Sequence, residues 1–317
     1  MNEPVEIAHP IEIFDPRMAE LVHTSSVVRR LGGGAKWAEG PLELADGSVI
    51  WSDIPRNQIL CWRSGEVAVW RSPSNFTNGH TMDHGGRILH CSHGARAILR
   101  TESDGTVTTV VDRFEGHRLN SPNDIVMKSD GTIWFTDPPY GILSNEEGYE
   151  AESELAGCFV FRFDPSTGEL NTVVTDMLHP NGLAFSPDES ILYVSDTSAH
   201  VFGERGHHHL RAYDIFDGAA TNGRVFTEVS PGLPDGFRLD VYGNLFVSCL
   251  DAIQVFASDA TFIGRIPVPE KVANCCWGGP GRRTLYITAS TSLYAIDLRT
   301  TGPNANSTHT KAEQTQS

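Results

Sequence analysis

Short apolar runs alternate with polar turn-forming residues along most of the chain. The segment from Ser121 to Gly141, SPNDIVMKSDGTIWFTDPPYG, shows the unit: a strand, an Asp-Gly turn, a second strand and a proline-rich loop. Two apolar runs joined through Asp-Gly predict a β-hairpin, and β-branched and aromatic residues favour strands. The pattern therefore predicts an all-β chain.

The same hairpin recurs six times. The repeats are GPLELADGSVIWSDI from Gly40, GHTMDHGGRILHCSH from Gly79, NDIVMKSDGTIWFTD from Asn123, GLAFSPDESILYVSD from Gly182, GFRLDVYGNLFVSCL from Gly236 and CCWGGPGRRTLYITA from Cys275. Further strand pairs lie between them, so that each unit has about four strands. Six such units predict a six-bladed β-propeller, whereas unrelated hairpins would fit a set of sandwiches.

The two chain ends lie outside this repeat. The last unit lacks one strand, and the stretch from Ser25 to Gly33 can supply it and remove an exposed edge. The sequence therefore predicts a short N-terminal extension at 1–24, a propeller at 25–300 and a tail at 301–317. The polar composition of the tail predicts disorder.

One residue with a side-chain oxygen stands directly before the first strand of every repeat. These six ring residues are Glu39, Asn78, Asn123, Asn181, Asp235 and Asn274. The matching turn position lies eight residues after five of them and seven after Asn274. The first strand of each propeller blade lines the central channel, so the ring residues are predicted to face one another around the axis.

A ring of carboxylate and amide oxygens suits a hard cation. Two carboxylates balance a dication, and oxygen-only ligands favour Ca²⁺, with Zn²⁺, Mn²⁺ and Mg²⁺ as alternatives. For any single residue of the ring, ordinary turn chemistry is the better explanation of the position. Six oxygen-bearing residues at matched positions favour a metal site.

Composition narrows the range of partners. The net charge of −16 opposes binding to nucleic acid or to an anionic membrane. The N-terminus has acids and prolines where a secretory signal would be basic and apolar, which predicts a cytoplasmic protein. Without that signal, the six cysteines are expected to be free thiols rather than disulfides.

Several of these stretches together resemble the gluconolactonase/regucalcin (SMP-30) family, in its bacterial gluconolactonase branch. The resemblance rests on KWAEGP, WSDIP, NSPNDIVMKSDGTIWFTDPPYG, PDGFRLDVYGNLFVS and NCCWGGPGRRTLYITAS. It implies a lactonase that hydrolyses a sugar lactone of the gluconolactone type to the aldonic acid. It also implies one divalent metal, held by Glu39, Asn123, Asn181 and Asp235.

Further roles follow from the resemblance. Asp235 is the candidate general base, and Asn78 and Asn274 are expected behind the metal or on the substrate. Tyr140 and His200 are candidate substrate contacts. Animal members of the family carry an arginine where this chain has Ser121, so His117 or Arg118 is expected to replace it.

Other functions stay open at this point. The first alternative is a phosphotriesterase of the diisopropyl-fluorophosphatase type or a hydrolase of a non-sugar lactone; the second is a non-catalytic binding propeller. No serine-hydrolase elbow or nucleotide-binding loop is present in the sequence. His207, His208 and His209 lie in an insertion at 198–209 and are interpreted as a solvent loop. A monomer or a small homo-oligomer is expected.

Overall fold

The computed structural model describes residues 5–7, 10–23 and 25–303. Six antiparallel sheets, blades 1 to 6, confirm the predicted propeller. From the innermost strand outwards, the blades are Ala38–Glu43, Val49–Asp53, Gln58–Arg63 and Glu66–Arg71 (blade 1); Thr77–Met82, Ile88–Ser92, Ala97–Thr101 and Val107–Val111 (blade 2); Ile125–Met127, Ile133–Asp137, Phe159–Asp164 and Glu169–Val174 (blade 3); Pro180–Phe185, Ile191–Asp196, His209–Phe216 and Ala219–Glu228 (blade 4); Pro234–Leu239, Leu245–Cys249, Ala252–Phe256 and Phe262–Pro267 (blade 5); and Val272–Gly278, Thr284–Ala289 and Ser292–Asp297 (blade 6).

Short elements connect and flank the blades. They are the two-residue strands Arg113–Phe114 and His117–Arg118, the α-helices Pro16–Leu21 and Ala199–Phe202, and the 3₁₀ turns Ile54–Arg56, Tyr140–Ile142, Gly203–Arg205 and Pro280–Arg282. No helix within the described ranges is long and apolar enough to cross a membrane.

The N-terminal segment completes blade 6, as the missing strand predicted. Val28–Gly33 pairs antiparallel with Ser292–Asp297 and becomes the fourth strand. The extension adds more edges, since Val5–Ile7 pairs with this strand and Glu12–Ile13 pairs with the outer strand of blade 5. The N-terminal extension is therefore built into the outer rims of two blades.

The hydrophobic core is divided among the seams between blades. Six clusters of buried apolar side chains each join residues of two neighbouring blades. The largest joins blades 5 and 6 and includes Met18 of the N-terminal helix, which is fully buried. Burial of these seams holds the blades together, while the innermost strands contact one another in a closed circle.

Glycines let the innermost strands approach closely at the ring. Gly79 and Gly182 each follow a ring residue, and a Cβ at either would lie 2.6 Å from a main-chain carbonyl oxygen of the next blade, that of Asn123 or of Asp235. No real Cβ contact is that short, so a larger residue would push the blades apart. Gly79 and Gly182 are therefore needed for close packing between blades, and not only for turn formation.

Hydroxyl groups tie three of the six ring positions to the preceding blade. The second strands of blades 1, 3 and 4 carry a serine or threonine at the same place, and its side chain donates to the carbonyl of a ring residue in the next blade. The bonds run from Ser52 to Asn78 (2.7 Å), from Thr136 to Asn181 (2.6 Å) and from Ser195 to Asp235 (2.9 Å). Five of the six residues are buried and Asp235 is half-buried, so these bonds satisfy carbonyls that have little access to solvent.

Two further predictions concern the cysteines and the C-terminal tail. All six cysteines are free, as predicted. At the start of the predicted tail, the Thr301 carbonyl accepts from the Val241 N–H, and the Gly302 N–H donates to the Arg282 carbonyl. The rest of the predicted disordered tail, 304–317, lies outside the described residues.

A pair of glycine substitutions tests the close approach of the strands. Gly40 and Gly47 both have positive φ, but a Cβ at Gly40 would meet the main chain of Asn78, whereas nothing lies within 4 Å of one at Gly47. Gly47→Ala should cost about 1 kcal/mol for its conformation alone. Gly40→Ala should cost about 1–3 kcal/mol more because of the clash. Urea unfolding of the two variants measures the difference; equal losses would contradict close packing at the ring.

Candidate metal and substrate site

A cavity of about 550 Å³ opens where the innermost strands begin. Five of the six ring residues line it: Glu39, Asn78, Asn123, Asn181 and Asp235. Four of them, Glu39, Asn78, Asn123 and Asn181, are buried with no more than 7% exposure, and Asp235 is half-buried at the cavity surface. The structure therefore brings the predicted ring together around one space.

Asn274, the sixth ring residue, lies behind Glu39 and is not in the cavity lining. Its Nδ2 donates to Glu39 Oε2 (3.1 Å), and its Oδ1 accepts from the Cys275 N–H (2.8 Å). The Gly40 N–H also donates to Glu39 Oε2 (2.7 Å). One carboxylate oxygen is thus anchored, and Oε1 has no hydrogen-bond partner in the described part of the chain. Asn274 therefore orients Glu39 rather than contacting a substrate.

Asn78 is oriented by a histidine that the sequence gave no reason to select. His93 Nδ1 lies 3.0 Å from the Glu147 carbonyl, which can only accept, so this nitrogen carries the proton. His93 Nε2 is then an acceptor, and it faces Asn78 Nδ2 at 3.4 Å. The amide nitrogen of Asn78 therefore points to His93, which leaves its Oδ1 for the cavity.

Asn123 and Asn181 are fixed through their main chains. The Asn123 carbonyl accepts from the Gly79 N–H and the Asn181 carbonyl from Thr136. The Asn123 side-chain amide makes no hydrogen bond within the described residues, so it is available at the cavity. The Asn181 amide lies beside Asp235 and favours the ionised form of that carboxyl group.

The two carboxyl groups of the ring are harder to ionise than exposed carboxyl groups. Burial raises the pKa of Glu39 well above its ordinary value, and the nearby charge of Asp235 raises it further. Burial raises the pKa of Asp235 to about 7, against the opposing effects of Lys271 and Asn181. Without a cation, these groups therefore retain protons at a pH where exposed carboxyl groups have lost them.

The donor set fits a divalent cation. Glu39 presents a free carboxylate oxygen, Asn123 and Asn181 present amides, and the buried charges of Glu39 and Asp235 require a counter-charge. These are hard oxygen donors, which is the chemistry that Ca²⁺ prefers. Among the described residues that line the cavity, Lys271 is the one lysine or arginine, and its side chain is exposed.

An ion pair crosses the channel near the ring. Asp124 follows the ring residue Asn123, and its two oxygens accept from Arg238 Nη1 and Nη2 at 3.1 and 3.2 Å. Asp124 is 1% exposed, so the carboxylate of this ion pair is buried. This bidentate contact joins blade 3 to blade 5 across the axis and adds a fixed negative charge that raises the pKa of both ring acids.

Loops between blades form the cavity walls. Tyr140 lies in a 3₁₀ turn, and its buried hydroxyl has no hydrogen-bond partner among the described residues. Ser121 holds this turn, because its hydroxyl donates to the Pro138 carbonyl and accepts from the Gly141 N–H. His200, in the helix of the insertion, also lines the cavity. Ser121 therefore positions a wall residue and has no surface of its own for substrate.

Two predicted substrate contacts do not reach the cavity. His117 and Arg118 form a short strand of a separate hairpin, opposite Arg113 and Phe114. The Arg118 guanidinium donates to the Ala95 carbonyl, and its main-chain N–H donates to Glu154. The hairpin turns both side chains away, so neither replaces the arginine of the animal proteins.

Comparisons with known proteins agree with this geometry. The sequence model of the SMP-30/Gluconolactonase/LRE-like region matches residues 37–291. The gluconolactonase of Zymomonas mobilis is 31% identical, over 91% of this chain and 86% of that protein. The pentonolactonase of Haloferax volcanii is 32% identical, over 84% and 85%. A solved gluconolactonase of Xanthomonas campestris superimposes with a TM-score of 0.87 at 38% identity, over 94% and 98% of the two chains.

The raised pKa values predict a pH-dependent effect of the cation on stability. In chelator, the folded chain retains ring protons that the unfolded chain has lost, so its stability should fall as the pH rises from about 4 to about 7. Bound Ca²⁺ removes this penalty, so its stabilising effect should grow over the same interval.

Thermal unfolding with and without saturating Ca²⁺ at several pH values measures this effect. The difference between the two curves cancels contributions from groups remote from the ring. We expect a larger increase in Tm at pH 8 than at pH 5. An increase that is the same at both pH values would show that the ring acids do not exchange protons for the cation.

Proposed function

The chain belongs to the SMP-30/gluconolactonase/LRE-like family, and from that premise we propose that it is a metal-dependent lactonase that opens a sugar lactone to the aldonic acid. The observation that carries the proposal is the pair of ring carboxyl groups, Glu39 and Asp235, facing one cavity together with the amides of Asn123 and Asn181. A purely structural ring would not favour two neighbouring acids that repel each other.

Glu39, Asn123, Asn181 and Asp235 would hold the cation. When bound, a divalent cation supplies a Lewis acid that polarises the lactone carbonyl and stabilises the oxyanion formed on it. Asn274 keeps Glu39 in place for this role, and His93 orients Asn78 next to it. We propose Asn78 as a contact of the substrate rather than of the cation.

Asp235 is the proposed general base. Its carboxylate would take a proton from the water that attacks the carbonyl carbon. The bond between that carbon and the ring oxygen then breaks, and the proton passes to the leaving oxygen, which becomes a hydroxyl. Burial raises the pKa of Asp235 to about 7 in the metal-free chain, so burial makes its carboxylate a stronger base than an exposed aspartate. A bound cation favours the charged form and lowers that value, so activity should extend below pH 7.

The walls offer polar partners to a hydroxylated substrate. Tyr140 presents an unpaired hydroxyl, and burial raises its pKa, so it stays a donor. Thr197, His200 and Glu147 line the same cavity, and Lys271 lies over the Trp37 ring at 5.1 Å. Sugar lactones need such partners, whereas organophosphate triesters do not. This observation favours the sugar lactone over the phosphotriesterase alternative.

The identity of the ion, the cellular location and the substrate class are proposed from chemistry and sequence. Oxygen-only donors favour Ca²⁺ over Zn²⁺, Mn²⁺ and Mg²⁺ as the resident ion. A cytoplasmic location is part of the proposal. The relatives include enzymes named for both gluconolactone and pentonolactone, so the substrate class is proposed as an aldonolactone without a fixed chain length.

Metal-restored hydrolysis tests the proposed function directly. Chelator-stripped protein is assayed with glucono-1,5-lactone in a pH-stat, with Ca²⁺, Zn²⁺, Mn²⁺ and Mg²⁺ added one at a time and spontaneous opening subtracted. We expect acid release that is lost on stripping and restored best by Ca²⁺. Absence of turnover with every ion, in protein that binds Ca²⁺, would favour a non-sugar substrate.

Isosteric substitutions test the two ring acids. Glu39→Gln and Asp235→Asn keep shape but remove a charge, and each should lower kcat/KM by at least about 10³-fold, because an electrostatic contact to the reacting carbonyl is lost. Each should also weaken Ca²⁺ binding in calorimetry. Glu66→Gln, on an exposed outer strand, is the matched control. Near-normal turnover of either ring variant at saturating Ca²⁺ would refute the assignment.

The Tyr140 hydroxyl is tested by Tyr140→Phe. Loss of one hydrogen bond to substrate or to a developing charge should lower kcat/KM by about 10- to 100-fold. The Tm should fall little, since within the described residues the hydroxyl makes no hydrogen bond of normal geometry. Tyr242→Phe is the control, because Tyr242 is 72% exposed and lies outside the cavity lining. Equal activity of both variants would remove Tyr140 from the site.

A further inference from the structure

A second group of metal-ligating side chains lies on blade 4, outside the ring and its cavity. It consists of Asp196, His207 and His209, and one ligand atom of each lies within 4.8 Å of the others. None of the three lines the cavity. We propose that they form a second metal site, which takes Zn²⁺ or a similar transition-metal ion and is chemically distinct from the oxygen ring.

The strand register brings the three residues together. Asp196 ends the second strand of blade 4, and His209 begins the third strand directly opposite it. His207 stands two residues earlier, so it projects to the same side as His209. The two imidazole rings are stacked with centroids 4.6 Å apart. His208 points elsewhere, and its Nδ1 donates to the Val229 carbonyl.

The same position in other blades shows what is particular to blade 4. Asp53 of blade 1 and Asp137 of blade 3 also end a second strand and accept loop N–H groups. Their cross-strand partners are Gln58 and Phe159, and Gln58 Nε2 donates to Asp53 Oδ2. The aspartate is therefore a repeated structural feature of the fold. The imidazoles beside it occur in blade 4, and the repeat does not require them.

One imidazole nitrogen in the cluster lacks a partner. His209 is 9% exposed, and its Nε2 is buried without a hydrogen bond within the described residues. A buried, unpaired imidazole nitrogen is costly unless a proton donor or a metal ion satisfies it. His209 lies beside a carboxylate and a second imidazole, which is the arrangement that a metal ion would complete.

The geometry of the other two ligands suits a small ion. His207 Nδ1 lies 3.2 Å from Asp196 Oδ2. With metal–ligand bonds of about 2.0–2.1 Å, two ligands of a tetrahedral zinc site lie about 3.3 Å apart. Asp196 is fully buried and is held by the main-chain N–H groups of Leu178 and Ser198 at 3.0 Å. Such support fixes a ligating carboxylate before the ion arrives.

The donor types separate the two sites. Two imidazoles and one carboxylate favour Zn²⁺, Ni²⁺ or Cu²⁺, whereas the all-oxygen ring favours Ca²⁺. The His207 side chain is 42% exposed, so an ion can enter from solvent and keep water at its open position. An ion here would fix the C-terminal end of the insertion to blade 4. The helix Ala199–Phe202 of that insertion carries His200, which lines the cavity.

Zinc binding in excess Ca²⁺ tests the proposal on the full chain. Calcium occupies the ring, and a competing chromophoric chelator then reports Zn²⁺ bound per chain. We expect about one equivalent in the wild type, none in His207→Ala/His209→Ala, and an unchanged equivalent in His208→Ala, the matched control from the same histidine run. Zn²⁺ should also raise the Tm of the wild type and of His208→Ala, but not of the double variant.

X-ray absorption at the zinc edge keeps the test independent of the variants. The wild-type zinc complex should show the scattering signature of two imidazoles. An all-oxygen shell would place the ion in the ring and overturn the proposal. It would also be overturned by wild-type protein that binds no Zn²⁺ in excess Ca²⁺, or by a double variant that is folded and still binds one equivalent. Lactonase activity does not enter this test, so its outcome is separate from that of the proposed function.

Discussion

Close contact of six innermost strands around one axis is the constraint on which the rest of the molecule depends. Glycines after the ring residues permit that contact, and hydroxyls of Ser52, Thr136 and Ser195 satisfy the carbonyls that it buries. Five of the six ring side chains therefore line one shared space, and the sixth, Asn274, supports Glu39 from behind. The fold therefore creates a convergent polar site as a consequence of its own packing, before any residue is chosen for chemistry.

The site is also an electrostatic arrangement that the fold stabilises only in part. Asn274 and the Gly40 N–H favour ionised Glu39, but burial and the neighbouring acids oppose it. Arg238 is committed to Asp124 and does not neutralise the ring. The seams of apolar side chains supply the stability that this arrangement lacks. Binding of a cation and stability of the apo protein are thereby coupled.

Much of this architecture could be predicted from the sequence, because the repeat is periodic and the ring residues stand at a fixed offset from each turn. The completion of blade 6 by an N-terminal strand followed from the number of strands in the last repeat. What the sequence could not provide was the direction of side chains in irregular loops. His117 and Arg118 were placed at the cavity by analogy, but a local hairpin turns them away. His93 was not selected, because its role depends on a carbonyl 54 residues further along the chain. The run of three histidines was interpreted as solvent-exposed. The rings of His207 and His209 stack on each other, whereas His208 bonds to the Val229 carbonyl.

The strand contributed by the N-terminus has a consequence for how the chain is made. Val28–Gly33 is synthesised before blade 1, yet its partner Ser292–Asp297 follows the other strands of all six blades. Early blades can form while translation continues, but the circle cannot close until blade 6 has been synthesised. Until then both edges of the nascent propeller are open to pairing with other chains. This contact between segments far apart in sequence also ends the period of exposed edges, and it links the chain's topology to its exposure to aggregation during synthesis.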